Sequence, residues 1–329
     1  MVKKLKRRVY LWLSGKNGDS KMLHKMQKIN QILFHWDDRM HMTHPGAEEP
    51  EKTYYVIRPA SKAEGLLSLY FNSGVAEIQW AQENGYIPYI DFDTENCQYH
   101  VERKVNGTTN AWEYYFNQPN HLTANEIAQK RNVLLSGWSQ KKRKLMKPTI
   151  ENVQTDLFRS ICLEKCAVNE SVLKMADKIA ERQLKKEKTL GVFIRGTDYV
   201  ALQPKGHYRQ PTVEQVMEKV DEFCTKYDIQ KILVVTEDFE IFQKFKNKYG
   251  EMAFSSDDDF VKNYSATDYV ENSFQNDPYE RGLKYLIRLL LLTKCDYLVS
   301  SITNGSMFVL AGKKEAYKEQ YLFDLGRYE

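Results

Sequence analysis

The chain has 329 residues, of which 42% are hydrophobic and 12% aromatic. That is enough for a sizeable core and for two domains, and it excludes disorder as the default state. The net charge of +4 is too mild to make nucleic acid the main partner, and no run approaches the ~20 apolar residues of a bilayer span.

Basic residues do cluster, at Lys3, Lys4, Lys6, Arg7 and Arg8 and again at Lys141, Lys142, Arg143, Lys144 and Lys147. Such runs are either solvated faces or contacts for an anionic leaflet or a phosphate-linked acceptor. Five cysteines, an odd number and widely spread, fit a reducing compartment. Cys162 and Cys166 lie four apart, but no second Cys or His pair stands near them to complete a zinc site. The apolar stretch 9–13 is too short for a signal-peptide core, and the run 286–292 is interrupted by Arg288. The expectation is a cytoplasmic protein whose basic runs suit peripheral contact with the inner membrane face.

In chain order, residues 22–35 have helical spacing at Leu23, Met26, Ile29, Ile32 and Leu33. Residues 41–46 read as a loop, and His35, His41 and His44 lack the carboxylate at fixed spacing that a metal site would need. Residues 54–57 form a strand. Residues 65–74 follow as a loop or tight turn containing Asn72, then 75–84 as a helix stopped by Gly85, then 86–92 as a second strand. Strand, helix, strand is the βαβ pattern of a parallel sheet. Residues 120–188 look mainly helical and charged. The domain boundary falls there, giving an N-terminal acceptor-side α/β domain over 1–185 and a nucleotide-sugar-binding domain over 186–329.

The second half alternates clearly. Strands are expected at 189–194, 231–235, 252–255 and 296–300, with helices at 212–227, 239–249, 278–294 and 304–312. This predicts a doubly wound sheet. The fold class is therefore α/β with two facing Rossmann-like domains and a ligand cleft between them.

Ligands of such sheets sit beyond the carboxyl ends of the strands. The first strand of the second half ends in Arg195-Gly196-Thr197-Asp198. An arginine there can fork onto phosphate oxygens, Gly196 permits close backbone approach, and Asp198 can orient Arg195 or a substrate hydroxyl. The alternative is a structural ion pair. The next strand ends in Thr236-Glu237-Asp238, an acidic pair in which Asp238 would equally serve as a helix cap. The last ends in Ser300-Ser301-Ile302-Thr303-Asn304-Gly305-Ser306. Small hydroxyl residues and a glycine before a helix favour an anion, although a plain cap has the same composition.

The segment Val192-Phe193-Ile194-Arg195-Gly196-Thr197-Asp198-Tyr199 resembles the His-x-Arg-Arg-x-Asp motif of the α1,6-, α1,2- and protein O-fucosyltransferase superfamily, with its nodulation fucosyltransferases. The likeness continues in order through 232–238, 254–257, 269–273 and 295–301, and covers roughly residues 189–312. It implies a GT-B fold, an inverting and metal-independent mechanism, no cofactor, and a nucleotide-sugar donor, GDP-fucose first. Arg195 would hold the donor β-phosphate and assist the leaving diphosphate. Thr303, Asn304 and Ser306 would meet phosphate oxygens, with Ser301 and Gly305 in the same turn, and Asn72 and Gly74 would approach from the N-terminal side. The acceptor would be an oligosaccharide or lipid-linked glycan. Three positions depart from the family pattern. Phe193 replaces the leading histidine, Gly196 replaces the second arginine, and Arg288 stands where the long helix carries a guanine-binding acid, so nucleotide choice is assigned to Arg288. Residues 199–213 contain no carboxylate, which leaves Asp198 and His207 as candidate bases.

Two other readings remain open. Asp91-Phe92-Asp93 spells the Asp-x-Asp of metal-dependent glycosyltransferases. A binding protein that has lost turnover would keep the same fold without the post-motif carboxylate.

Overall fold

The computed structural model describes residues 40–59, 64–137, 145–185, 187–262, 264 and 277–329. The expected helix over 22–35, His35, the two basic runs apart from Lys147, and segment 269–273 lie outside the described residues.

The first sheet has four short strands, β1 (His41–Thr43), β2 (Tyr54–Ile57), β3 (Ile87–Ile90) and β4 (Val133–Leu135), in the order β1-β4-β2-β3. β2 lies parallel to both β3 and β4, as the βαβ reading requires. β1 runs antiparallel to β4, so residues 41–43, expected as loop, form an edge strand. β4 likewise interrupts a region expected to be mainly helical. Both strands are three residues long, too short to show a period-2 pattern.

The connection from β2 to β3 corrects another expectation. Residues 66–75 are helical rather than a loop. One turn at Leu66–Ser68 and a π-helical stretch at Leu69–Val75 run straight into α1 (Ala76–Glu83). Leu66, Leu67, Leu69, Tyr70, Phe71 and Val75 are all buried. A helix buried on nearly every side loses the amphipathic signature by which helices are read. Gly74 mimics a breaker, but its role is packing, since a Cβ there would lie 2.7 Å from the Trp112 ring. Gly85, at φ +70, follows the end of α1 in the left-handed conformation that glycine favours. The chain then continues through α2 (Ala124–Gln129), α3 (Asp156–Ser160) and α4 (Glu170–Gln183).

The second sheet is fully parallel. It comprises β5 (Thr189–Phe193), β6 (Lys231–Val235), β7 (Ala253–Phe254), β8 (Tyr297–Ser301) and β9 (Glu319–Phe323), ordered β7-β6-β5-β8-β9. Strand order reverses between β5 and β8, which opens a crevice beyond their carboxyl ends. The helices are α5 (Thr197–Leu202), α6 (Val213–Tyr227), α7 (Phe239–Tyr249), α8 (Pro278–Leu292) and α9 (Asn304–Gly312). Among the described residues, α5, β9 and a single 3-10 turn at Gly250–Met252 go beyond the elements expected here.

Alternation along the strands places helices on both faces. Leu190, Val192, Ile232 and Val234 pack with Val216, Val220 and Phe245 of α6 and α7. Phe193, Leu233 and Val235 point the other way, into a core shared with α8, α9 and the helical stretch before α1. Gly191 faces this second side, where a Cβ would meet Leu292 at 2.8 Å. α4 packs along α8. The layer covering the second sheet therefore begins before residue 185, and one core runs between the two sheets.

Candidate active site

A cleft opens beyond the carboxyl ends of β5, β6 and β8. It is closed on the other side by the helical turn at Leu66–Ser68 and by Tyr99. Nine of the residues singled out in the sequence line it: Arg195, Asp198, His207, Thr236, Glu237, Arg288, Thr303, Asn304 and Gly305.

Arg195 leaves the end of β5 and is largely buried, with 12% of its side chain exposed. Its Nη2 donates to Asp198 Oδ1 at 2.8 Å. Its Nε lies 3.2 Å from Glu237 Oε1 without hydrogen-bond geometry, so this buried donor is left without a partner. The guanidinium stacks over the Tyr199 ring at 4.7 Å. Burial works against its charge, but the Glu237 and Asp198 carboxylates outweigh that and hold its pKa well above the ordinary arginine value.

Glu237 builds the turn that aims this arginine. Its Oε1 accepts from the Gly196 amide at 2.9 Å and from the Thr197 hydroxyl at 2.8 Å. Thr197 stands at φ +36, a conformation that β-branched residues seldom adopt and that must be held by its surroundings. Gly196 does not line the cleft. Its lack of a side chain admits Asp238, whose Oδ2 would sit 2.7 Å from a Cβ there. Asp238 itself caps α7, accepting from the Glu240 and Ile241 amides at 2.8 and 3.3 Å.

On the same rim, beyond the neighbouring strand β8, stands the start of α9. Thr303 Oγ1 accepts from the Gly305 and Ser306 amides at 3.0 and 3.4 Å, and Ser306 Oγ accepts from the Thr303 amide at 2.8 Å. This capping box consumes Ser306, which lies behind the cleft surface. Ser301 is also behind it, fully buried, with its hydroxyl 3.4 Å from Phe193 O. Gly305 faces the cleft because nothing larger fits. A Cβ would lie 2.5 Å from the Phe193 ring and 2.9 Å from the Tyr285 hydroxyl. Asn304 Nδ2 donates to Ser68 Oγ at 3.2 Å, tying α9 to the opposite wall. Asn72 lies outside the cleft, exposed, with its amide 3.4 Å from Glu64 Oε1. Gly74 packs on Trp112 instead.

Arg288 lines the cleft but is engaged by its neighbours. It forks onto Asp257, with Nε donating to Oδ2 at 2.9 Å and Nη2 to Oδ1, and Nη2 also reaches Asp259 O at 2.6 Å. Burial raises the Asp257 pKa, but the Arg288 guanidinium more than offsets it and leaves the carboxyl below its ordinary value.

His207 sits on the wall beside Tyr199, ring to ring at 5.4 Å. The residue is exposed, but desolvation of its ring against the wall and the Arg327 cation lower its pKa, against the pull of Asp198. The imidazole is therefore neutral near pH 7 and able to accept a proton.

Several lining residues escaped the sequence reading, among them Ser68, Tyr99, Tyr285 and Lys284. Arg281, Lys284 and Arg288 recur at helical spacing along α8, a signal that was available. Asp91 and Asp93 do not line the cleft, and Asp93 is engaged by His100 at 2.9 Å and Thr109 at 2.6 Å. Among the described residues, no group of three or more His, Cys, Asp or Glu side chains could hold a metal ion. All five cysteines are free thiols. No helix among the described residues is long and apolar enough to cross a membrane.

No protein-family model and no curated protein sequence matches the chain. Among solved structures it is similar to the NodZ α-1,6-fucosyltransferase soaked with GDP-fucose, with a TM-score of 0.45 at 13% identity over 78% of this chain and 91% of that one. The fucosyltransferase NodZ from Bradyrhizobium gives 0.44 at 15% identity, over 79% and 92% of the two chains. POFUT1 in complex with GDP gives 0.42 at 12% identity, over 85% and 76%.

Proposed function

We propose that this protein is a glycosyltransferase that moves a sugar from a nucleoside-diphosphate donor to a glycan hydroxyl, with inversion and without a metal. The observation that carries this reading is a pair of features that line one cleft at neighbouring strand ends. Arg195 is held by Asp198, Glu237 and Tyr199, and the N-terminus of α9 lines the same cleft. A fixed guanidinium and a helix dipole together suit a diphosphate and the charge that develops on it as it leaves. The resemblance of the Arg195 segment to the fucosyltransferase motif makes GDP-fucose the first donor to try.

In the proposed reaction the acceptor hydroxyl attacks the anomeric carbon as the bond to the diphosphate oxygen breaks on the opposite face. The hydroxyl proton passes to His207. Asp198 is less suited as the base, because its Oδ1 already accepts from Arg195 at 2.8 Å and from the Thr197 hydroxyl at 3.2 Å. Arg288 acts on nucleotide choice indirectly, by fixing the stretch that carries Asp257 and Asp259. The acceptor is an oligosaccharide or lipid-linked glycan, and the site of action is the cytoplasmic side of a membrane.

A thermal-shift screen against GDP, UDP, CDP, ADP and their sugars tests the donor. A concentration-dependent rise in Tm identifies the bound nucleotide. Transfer to a glycan panel in excess EDTA tests turnover and metal independence together. Loss of activity in EDTA, restored by Mn²⁺ or Mg²⁺, contradicts the metal-free mechanism. Donor binding with neither transfer nor hydrolysis contradicts the enzyme reading.

A further inference from the structure

His207 belongs to the loop between α5 and α6, which is exposed and contains the left-handed Gln203 and Gly206. Such a loop would ordinarily hold a side chain poorly. Here it is stitched to the segment that follows the edge strand β9. The Gly206 amide donates to Tyr328 O, the Tyr328 amide to His207 O, and the Arg209 amide to Gly326 O, each at 2.9 Å. Tyr208 and Arg327 pair as an antiparallel bridge between these hydrogen bonds. Arg327 adds two contacts. Its Nη1 donates to Gly206 O at 2.6 Å, and its guanidinium covers the Tyr208 ring at 4.0 Å. The Gln210 amide donates to the Tyr328 hydroxyl at 3.3 Å. The bonds fall on both sides of His207 and on its own carbonyl.

We propose that residues 326–328 form a strap that fixes His207 in the cleft wall, with Arg327 as the positioning residue. The strap starts from β9, whose pairing with β8 runs from Tyr297–Glu319 to Ser301–Phe323. It therefore couples the loop to the strand that ends at the α9 turn. The groups acting on the imidazole are the Tyr199 ring and the Asp198 carboxylate from α5, and the Arg327 cation from the strap. Arg327 opposes protonation and Asp198 favours it, so the strap's cation keeps the imidazole in its proton-accepting form. The catalytic part of this role rests on the proposed assignment of His207 as base, whereas the mechanical part does not.

Two variants of the full chain test the strap. Arg327→Gln removes the cation and keeps a polar side chain. Gly326→Val places a β-branched residue at φ +75 and displaces the Gly326 carbonyl that receives the Arg209 amide. Imidazole NMR, with His207 assigned by its absence in His207→Gln, should show the His207 midpoint moved upward in Arg327→Gln. Arg327→Lys should restore most of that shift. Amide exchange at Gly206 and Arg209 should quicken by about tenfold or more in Gly326→Val, as local opening becomes easier. The acid limb of the kcat/KM profile should move upward with the His207 midpoint in Arg327→Gln. An unmoved His207 midpoint together with unchanged amide exchange overturns the strap. A moved midpoint with an unmoved rate profile overturns its catalytic role. Absence of any transfer by the wild type, with the NMR shift intact, counts against the proposed function alone.

Discussion

The rim of β5 and the middle of α8 each place a buried arginine on the same cleft, and the two are held very differently. Arg288 is forked onto one carboxylate and also donates to a backbone carbonyl. It behaves as a bolt between α8 and the stretch holding Asp257 and Asp259. Arg195 sits between two carboxylates but donates one hydrogen bond to them, and its buried Nε, 3.2 Å from Glu237 Oε1, has no hydrogen-bond partner. A buried donor left without a hydrogen bond is costly. In sequence each is a single arginine after apolar residues, Arg195 before Gly196-Thr197-Asp198 and Arg288 before a run of leucines. The geometry separates an arginine forked onto its carboxylate from one that keeps a donor without a hydrogen bond.

The largest expected effect separates them most clearly. Arg195→Lys keeps a cation between Asp198 and Glu237 but loses the planar fork. Transfer should fall by about a hundredfold or more, with circular dichroism and Tm close to wild type. Near-normal turnover would remove Arg195 from the donor site. Arg288→Ala should act on the fold, since it strands Asp257 beside a buried gap. A loss of about 3 kcal/mol in denaturant unfolding is expected. If stability holds and only donor preference changes, Arg288 reads the nucleotide directly and the contrast fails.

Gly305→Ala sharpens the comparison from the α9 turn. Its methyl group would press on the Phe193 ring and the Tyr285 hydroxyl, displacing the start of α9 at a cost of about 1–3 kcal/mol. Donor affinity should weaken about tenfold, measured by calorimetry, whereas unchanged affinity would take the α9 turn out of the site. Asp238→Ala should have the smallest effect, about 1 kcal/mol of stability from the lost α7 cap. Its kcat should match wild type. A large loss of kcat would return Asp238 to the chemistry.

These contrasts follow what could and could not be read in the chain. From β5 to α9, apolar strands alternate with helices, and the strand 231–235 and the amphipathic helix 239–249 fall where periodicity places them. Local physics dominates there. It fails at residues 66–75, where burial on all sides hides the helix and Gly74 serves tertiary packing. It also fails at β1, β4 and β9. The first two are too short to show a pattern, and β9 lies partly exposed at a sheet edge. In the site, strand-end logic led to Arg195, Glu237 and the α9 turn because topology puts strand ends together. It did not distinguish cap from ligand at Asp238 and Ser306, since one oxygen serves either purpose. Nor did it reveal that Asn72 would turn away from the cleft, or that Tyr199 and the strap would flank His207. Those depend on contacts between residues far apart in the chain or on side-chain direction.

The central claim is that Arg195 and the start of α9 hold a nucleoside diphosphate. Calorimetric titration of GDP, UDP, CDP and ADP into wild type and Arg195→Lys tests it most directly. The account predicts saturable binding of one of these by the wild type, weakened about a hundredfold, or about 2.7 kcal/mol, in Arg195→Lys. Equal affinity of the two proteins for the preferred nucleotide, or no binding of any of the four by the wild type, would contradict it.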